Sequence, residues 1–168
     1  MEQSLLSGKN ILVAGGTSGL GLEVVRQLAE KGCTVTATGR NPLPTSSVFK
    51  NVIFRYVDFK NLSQVSGLAK ELVTYEKPFD IVINNAGILS PPFPEITTDG
   101  FESTFQVNFL SHLLLDLILI SGKKDEKPLL FIPVTSPVYR MGKIDFQDFN
   151  CYRKYSRIKA YSGSKLYL

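Results

Sequence analysis

Asn10-Ile11-Leu12-Val13-Ala14-Gly15-Gly16-Thr17-Ser18-Gly19-Leu20-Gly21 is the stretch that decides the fold. An unalternated apolar run enters a glycine-rich turn, and helical spacing follows at once. Such a run suits a strand buried on both faces. Leu20, Val24, Val25 and Leu28 then recur as one face of a helix should. Glycines at a strand-to-helix turn let the backbone approach a pyrophosphate. The helix N-terminus adds unpaired N–H groups and a partial positive charge. Gly15, Gly19 and Gly21 are spaced Gly-x-x-x-Gly-x-Gly, a variant of the dinucleotide fingerprint Gly-x-Gly-x-x-Gly. Gly15, Thr17, Ser18, Gly19, Leu20 and Gly21 are expected to line a phosphate site, with a purely structural turn as the alternative.

Working outward, two textures alternate. Short runs rich in β-branched or aromatic residues, Asn10–Ala14, Thr34–Thr38, Val52–Val57, Asp80–Asn84 and Leu129–Thr135, are expected strands. Leu20–Lys31, Leu62–Tyr75 and Gly100–Ser121 are expected helices, with a last one from near Ser156 to the end. Ser90–Pro94 is expected as a loop, because Pro91 and Pro92 continue neither element. Strand alternating with helix implies right-handed crossovers: an α/β, Rossmann-type doubly wound parallel sheet with helices on both faces. The 168 residues fit one domain.

The end of the second strand bears on the ligand. About 20 residues past the loop, an NAD site usually places an acid on the ribose 2′-hydroxyl. Here the sequence is Thr38-Gly39-Arg40-Asn41, without a carboxylate. Arg40 suits a 2′-phosphate, and Gly39 leaves room for it. NADP(H) is therefore favoured over NAD(H), the alternative for Arg40 being an ordinary surface residue.

Composition narrows the rest. A net charge of +4 suits an anionic ligand but is too small and too scattered to point to nucleic acid. Cys33 and Cys151 form no Cys-x-x-Cys pair, which suggests a reduced, cytoplasmic setting. His112 is the sole histidine, leaving too few soft ligands for zinc. The apolar run Phe109–Ile120 is too short for a bilayer and carries His112 and Asp116, so no transmembrane segment is expected. Peripheral membrane attachment stays open.

Further motifs follow in order: Asn84-Asn85-Ala86-Gly87 after the fourth strand, Asn108 in the long helix, Ser136 after the fifth strand, and Tyr161-Ser162-Gly163-Ser164-Lys165 in the last helix. Together they resemble the short-chain dehydrogenase/reductase family over essentially the whole chain. The stretch Val134-Thr135-Ser136 to Phe146, with Ala160-Tyr161 to Leu166, is similar to its retinol-dehydrogenase-like branch. The resemblance implies Tyr161 as acid/base, Lys165 holding the nicotinamide ribose and favouring the phenolate, and Ser136 bonding the substrate oxygen. It implies Asn108 on a water-mediated proton path and Asp58 at the adenine, though Asp58 reads equally as a helix-entry acid. Asn84, Asn85, Ala86 and Gly87 would let the cofactor approach closely, the asparagines also tying neighbouring strands. The substrate implied is a small apolar alcohol, aldehyde or ketone. His112 is assigned no chemistry.

The sequence departs from the family at Ala14, where a loop-bracing threonine is usual, at Ser111, where a glycine is common, and at Pro133 inside the fifth strand. It also stops at Leu168, whereas family members continue past the Tyr-x-x-x-Lys helix. The expectation is a sheet missing its C-terminal strands, an apolar edge at the fifth strand that invites self-association such as a homodimer, and a last helix poorly held. A catalytically silent NADP(H)-binding module is the competing reading.

Overall fold

The computed structural model describes residues 5–46, 49, 52–124 and 126–168. Strand and helix alternate: β1 (Asn10–Ala14), α1 (Gly19–Glu30), β2 (Thr34–Gly39), β3 (Val52–Tyr56), α2 (Leu62–Val73) and β4 (Ile81–Asn84). A helical run follows in three parts: α3 (Ser103–Phe105), a π-helical turn (Gln106–Leu110) and α4 (Ser111–Ser121). The chain closes with β5 (Leu130–Pro133), a 3-10 turn (Pro137–Met141) and α5 (Arg157–Leu166).

Among the described residues the five strands of the sheet pair in parallel, in the order β3-β2-β1-β4-β5. The order reverses between β1 and β4, which opens a crevice at the carboxyl ends of the strands where Rossmann-type folds take ligands. Successive side chains of β1 point to opposite faces. Leu12 and Ala14 join Val65, Leu68, Val82, Leu115 and Leu119 on the α2 and α4 side. Ile11 and Val13 join Val25, Leu28, Val35 and Ala37 on the α1 side. Ile11, Leu12, Val13 and Ala14 are fully buried. Each large one contributes about 1.5–3 kcal/mol.

Three sequence expectations change. Leu20 does not share the buried face of α1: it is 63% exposed, while Gly21, Val25 and Leu28 are buried. Leu20 instead lines an open cleft beside the turn. The long helix starts at Ser103 rather than Gly100, because Gly100 adopts φ +88° in a turn closed by Gly100 N–H on the Thr97 carbonyl. The run Ser103–Ser121 is also longer than the apolar stretch suggested: its 19 residues, at mean hydropathy 1.4, are long and apolar enough to cross a membrane. More than half of that run is buried inside the protein, with Gln106, Asn108 and His112 among the buried residues.

Pro133 deletes one donor at the sheet edge, as expected of a proline in an edge strand. Leu130 N–H bonds Asp80 O at 3.0 Å and Val134 N–H bonds Asn84 O at 2.9 Å. Donors toward β4 thus fall on even-numbered positions, and Pro133 sits where the N–H would face away. It removes no bond to β4. β5 lies at the sheet edge, with Leu130 and Ile132 exposed at 55% and 40%.

α5 is held from several sides, contrary to the expectation of a loose helix. Asn108 Nδ2 donates to Ser164 Oγ at 2.9 Å, and Arg157 Nε to the Ser90 carbonyl at 2.8 Å. Tyr155, just before α5, donates its hydroxyl to the Pro91 carbonyl at 2.6 Å. Tyr167 packs its ring on Phe105 and Phe109. The proline-rich loop therefore anchors the chain entering the last helix.

Candidate active site

The glycine-rich turn sits at the end of β1 because its backbone goes where side chains would collide. Gly15 has φ +76°, and a Cβ there would lie 2.6 Å from Ala86 Cα. A Cβ on Gly21 would run into the Gly15 carbonyl, so Gly21 is a packing residue beneath the loop. Gly19 has φ +52° with open space around it. Asn85 Nδ2 donates to Gly15 O at 2.8 Å, and Asn85 N–H to Ala14 O at 3.1 Å. That side chain braces the loop from β4, although Ala14 supplies no hydroxyl.

A cleft of about 350 Å³ opens beside this turn. Of the expected phosphate and cofactor residues, Gly15, Thr17, Ser18, Gly19, Leu20, Arg40, Asp58, Asn85, Ala86 and Gly87 line it. Arg40 is exposed at its wall, and Gly39 lies so close to Thr17 that any side chain would strike it. Asp58 lies at the far wall and accepts from Lys60 N–H at 2.9 Å. Sequence reasoning missed Lys60, Phe59, Ile88 and Val107; they carry no motif, and they arrive from the segments after β3 and β4 and from the π-helical turn. Asn84 does not line the cleft. Its amide is turned toward α4, donating to Asp116 Oδ2 at 2.7 Å.

The cleft suits a dinucleotide. The N-terminus of α2 is capped by its own Asn61 side chain, whereas that of α1, begun at Ser18, has no side-chain cap. Unpaired N–H groups at an uncapped start are ready donors to phosphate oxygens.

Two of the expected catalytic residues, Asn108 and Lys165, meet at the ends of β4 and β5. The π-helical turn presents Asn108 to Ile88, with Oδ1 accepting from Ile88 N–H at 2.8 Å and Nδ2 donating to Ile88 O at 3.0 Å. With Ser164 as a further partner, the Asn108 side chain joins three segments. Lys165 is buried, donates to the Val134 carbonyl at 2.8 Å, and is pushed below its usual pKa by burial. A Cβ built on Gly87 would lie 3.3 Å from Asn108 Oδ1 and 3.5 Å from Lys165 Nζ. The cleft and α5 thus share one glycine wall.

Ser136 begins the 3-10 turn, which packs on α5. Tyr161 is half-buried and opens on a separate hollow of about 560 Å³, lined by Leu89, Val138, Ser156, Arg157, Ile158 and Tyr161 itself. Ser111, the other departure, is buried and donates to the Phe59 carbonyl at 2.7 Å, tying α4 to the segment after β3.

The profile of short chain dehydrogenases matches residues 9–127. The chain is similar to human retinol dehydrogenase 12, 35% identical over 170 residues, covering 96% of this chain and 54% of that protein. It is also similar to human retinol dehydrogenase 14, 32% identical, covering 98% of this chain and 55% of the other. It spans about half the length of the curated relatives it matches. Among solved structures, a Mycobacterium paratuberculosis protein superposes at a TM-score of 0.81 with 30% identity, covering 98% of this chain and 60% of that one. A Shigella flexneri short chain dehydrogenase complexed with NADP reaches 0.69 at 24% identity, covering 99% and 70%, a likeness of fold alone. The glycine turn, the sheet order and these matches agree: the chain belongs to the short chain dehydrogenase family.

Proposed function

We propose that this site serves an NADP(H)-dependent oxidoreductase that interconverts an apolar alcohol and its carbonyl, with Tyr161 as acid/base. The single observation that carries the reading is the shared wall at Gly87, which brings the dinucleotide cleft to within a side chain of Lys165 Nζ.

The chain's residues divide the work. The turn from Gly15 to Gly19 and the start of α1 would hold the pyrophosphate, Arg40 the 2′-phosphate, and Asp58 the adenine end. A bound nicotinamide supplies or accepts the hydride. In the reducing direction Tyr161 gives its phenolic proton to the substrate oxygen, so that the C=O becomes C–H and O–H and a phenolate remains for reprotonation from water. Lys165 stands one helical turn from Tyr161 on α5. Ser136 donates to the same substrate oxygen as charge develops there. Leu89, Val138 and Ile158 give the hollow beside Tyr161 apolar walls, which suits an apolar aldehyde or ketone.

The test is NADPH consumption with a panel of apolar aldehydes and ketones, for the parent chain and Tyr161→Phe. The variant is expected to lose at least ~100-fold in turnover while binding NADPH as before. Equal turnover in both overturns the mechanism. NADPH binding without turnover in the parent selects the silent nucleotide-binding module.

A further inference from the structure

His112 is the only histidine in the chain, and its ring is buried behind the wall formed by Ala86 and Gly87. Nε2 lies 2.7 Å from the Ala86 carbonyl oxygen and Nδ1 lies 3.2 Å from Asn84 Oδ1. Asn84 Nδ2 in turn lies 2.7 Å from Asp116 Oδ2. Asp116 Oδ1 is buried with no hydrogen-bond partner among the described residues. Carboxyl, amide, imidazole and backbone carbonyl form one line that ends on the floor of the cleft.

Counting donors limits how protons can sit in this line. The Ala86 carbonyl only accepts, so Nε2 carries a hydrogen. With a neutral ring, Nδ1 is bare and needs a donor, which the Asn84 amide supplies if its nitrogen faces the ring. Its oxygen then faces Asp116, and that contact needs a protonated carboxyl. With the amide nitrogen toward Asp116 instead, the ring must be an imidazolium and Asp116 a carboxylate. The two arrangements contain the same number of protons and interconvert by a half-turn of the amide and one proton shift. Removing that proton leaves two acceptors and an amide able to donate to only one.

We propose that Asp116 is a positioning residue of the cleft, acting through Asn84 and His112 to fix the Ala86 carbonyl while the three side chains share one proton. The functional part of this rests on reading the cleft as the cofactor site. The surroundings favour the neutral ring. Burial first, then the Lys165 ammonium on α5, lower the His112 pKa to about 4, against an opposing hydrogen bond to Ala86. Burial raises Asp116 to about 6, opposed by the Asn84 amide. Lys165 is the charged group that acts on the ring. From the segment after β3 the neighbour is the uncharged Phe59, with ring centroids 4.9 Å apart, and from β4 the uncharged Asn84. A raised carboxyl pKa means the folded protein holds the proton at acidic pH and loses it as pH rises through that value. The Asn84 amide then turns to the carboxylate, Nδ1 faces an oxygen, and the hold on Ala86 weakens.

A single histidine makes the test direct. Nitrogen-15 shifts of the His112 ring and of the Gly87 amide, whose peptide unit contains the Ala86 carbonyl, are followed with pH in the protein without nucleotide. The expected result is a neutral Nε2–H ring near neutral pH, and one step in which ring and Gly87 move together. That step is expected to be absent in Asp116→Asn, whose amide stays a donor toward Asn84. A ring that ionises like free histidine, an Nδ1–H tautomer, a Gly87 amide that stays still, or a step that persists in Asp116→Asn each overturns the proposal. If Asp116→Asn fails to fold, the coupled step in the parent protein still decides. NADPH affinity is expected to fall about fivefold or more across the step; a flat profile with measurable binding also overturns the proposal. Absence of NADPH binding at every pH strikes the cofactor reading instead, leaving the coupled shifts to judge the positioning.

Discussion

Lys165 and Val134 clamp α5 to the sheet: the Lys165 amine donates to the Val134 carbonyl at 2.8 Å, and Thr135 Oγ1 returns a bond to the Lys165 carbonyl at 3.0 Å. The lysine that is to act on Tyr161 therefore also has a structural part. Lys165→Met keeps most of the stem and removes the donor, leaving a carbonyl without its partner. Its expected cost is about 1–3 kcal/mol, read by denaturant unfolding. Unchanged or higher stability would show that burying the ammonium costs more than its bond returns.

The glycine turn separates strain from collision. Gly15→Ala places a Cβ against Ala86 at a positive φ, so it is expected to destabilise by about 1–3 kcal/mol and to weaken NADPH binding. Gly19→Ala also has a positive φ but meets no atom within 4 Å, so about 1 kcal/mol of backbone strain is expected. Thermal melting of both variants checks the order, and a Gly19 variant worse than the Gly15 one would contradict it.

Much of this was legible before the structure. β1 reads as a doubly buried strand because its residues are apolar without alternation, and the turn after it announces itself by glycine. Helical periodicity misplaced Leu20, since spacing marks a face but not where that face opens on a cleft. Asn84 read as a cofactor residue because its motif lies at the cleft, yet its side chain turns to α4, a direction that strand register alone settles. The part played by His112 was hidden for a related reason: its partners Ala86 and Asn84 lie 26 and 28 residues away in sequence.

Acid stability should depend on Asp80. Burial pushes its carboxyl up, but the Asn10 N–H at 2.8 Å and the Lys9 ammonium at 3.2 Å outweigh burial and hold it below the usual range. A depressed folded pKa gives stability that is present above the unfolded pKa of about 3.9 and lost as pH falls below it. Asp80→Asn is thus expected to destabilise at neutral pH and to converge with the parent in strong acid. Parallel stability–pH curves would show that the bonds at Asp80 do not distinguish its charge states.

The central claim, that the cleft beside Arg40 and the glycine turn is an NADP(H) site, is tested most directly by calorimetric titration of the chain with NADPH and NADH. The account predicts NADPH binding tighter by about tenfold to a hundredfold, from roughly 1.5–3 kcal/mol of charge-assisted contact to the 2′-phosphate. It also predicts that Arg40→Ala removes most of that difference while leaving NADH affinity nearly unchanged. Equal affinities for the two nucleotides, or a preference that survives Arg40→Ala, would contradict it.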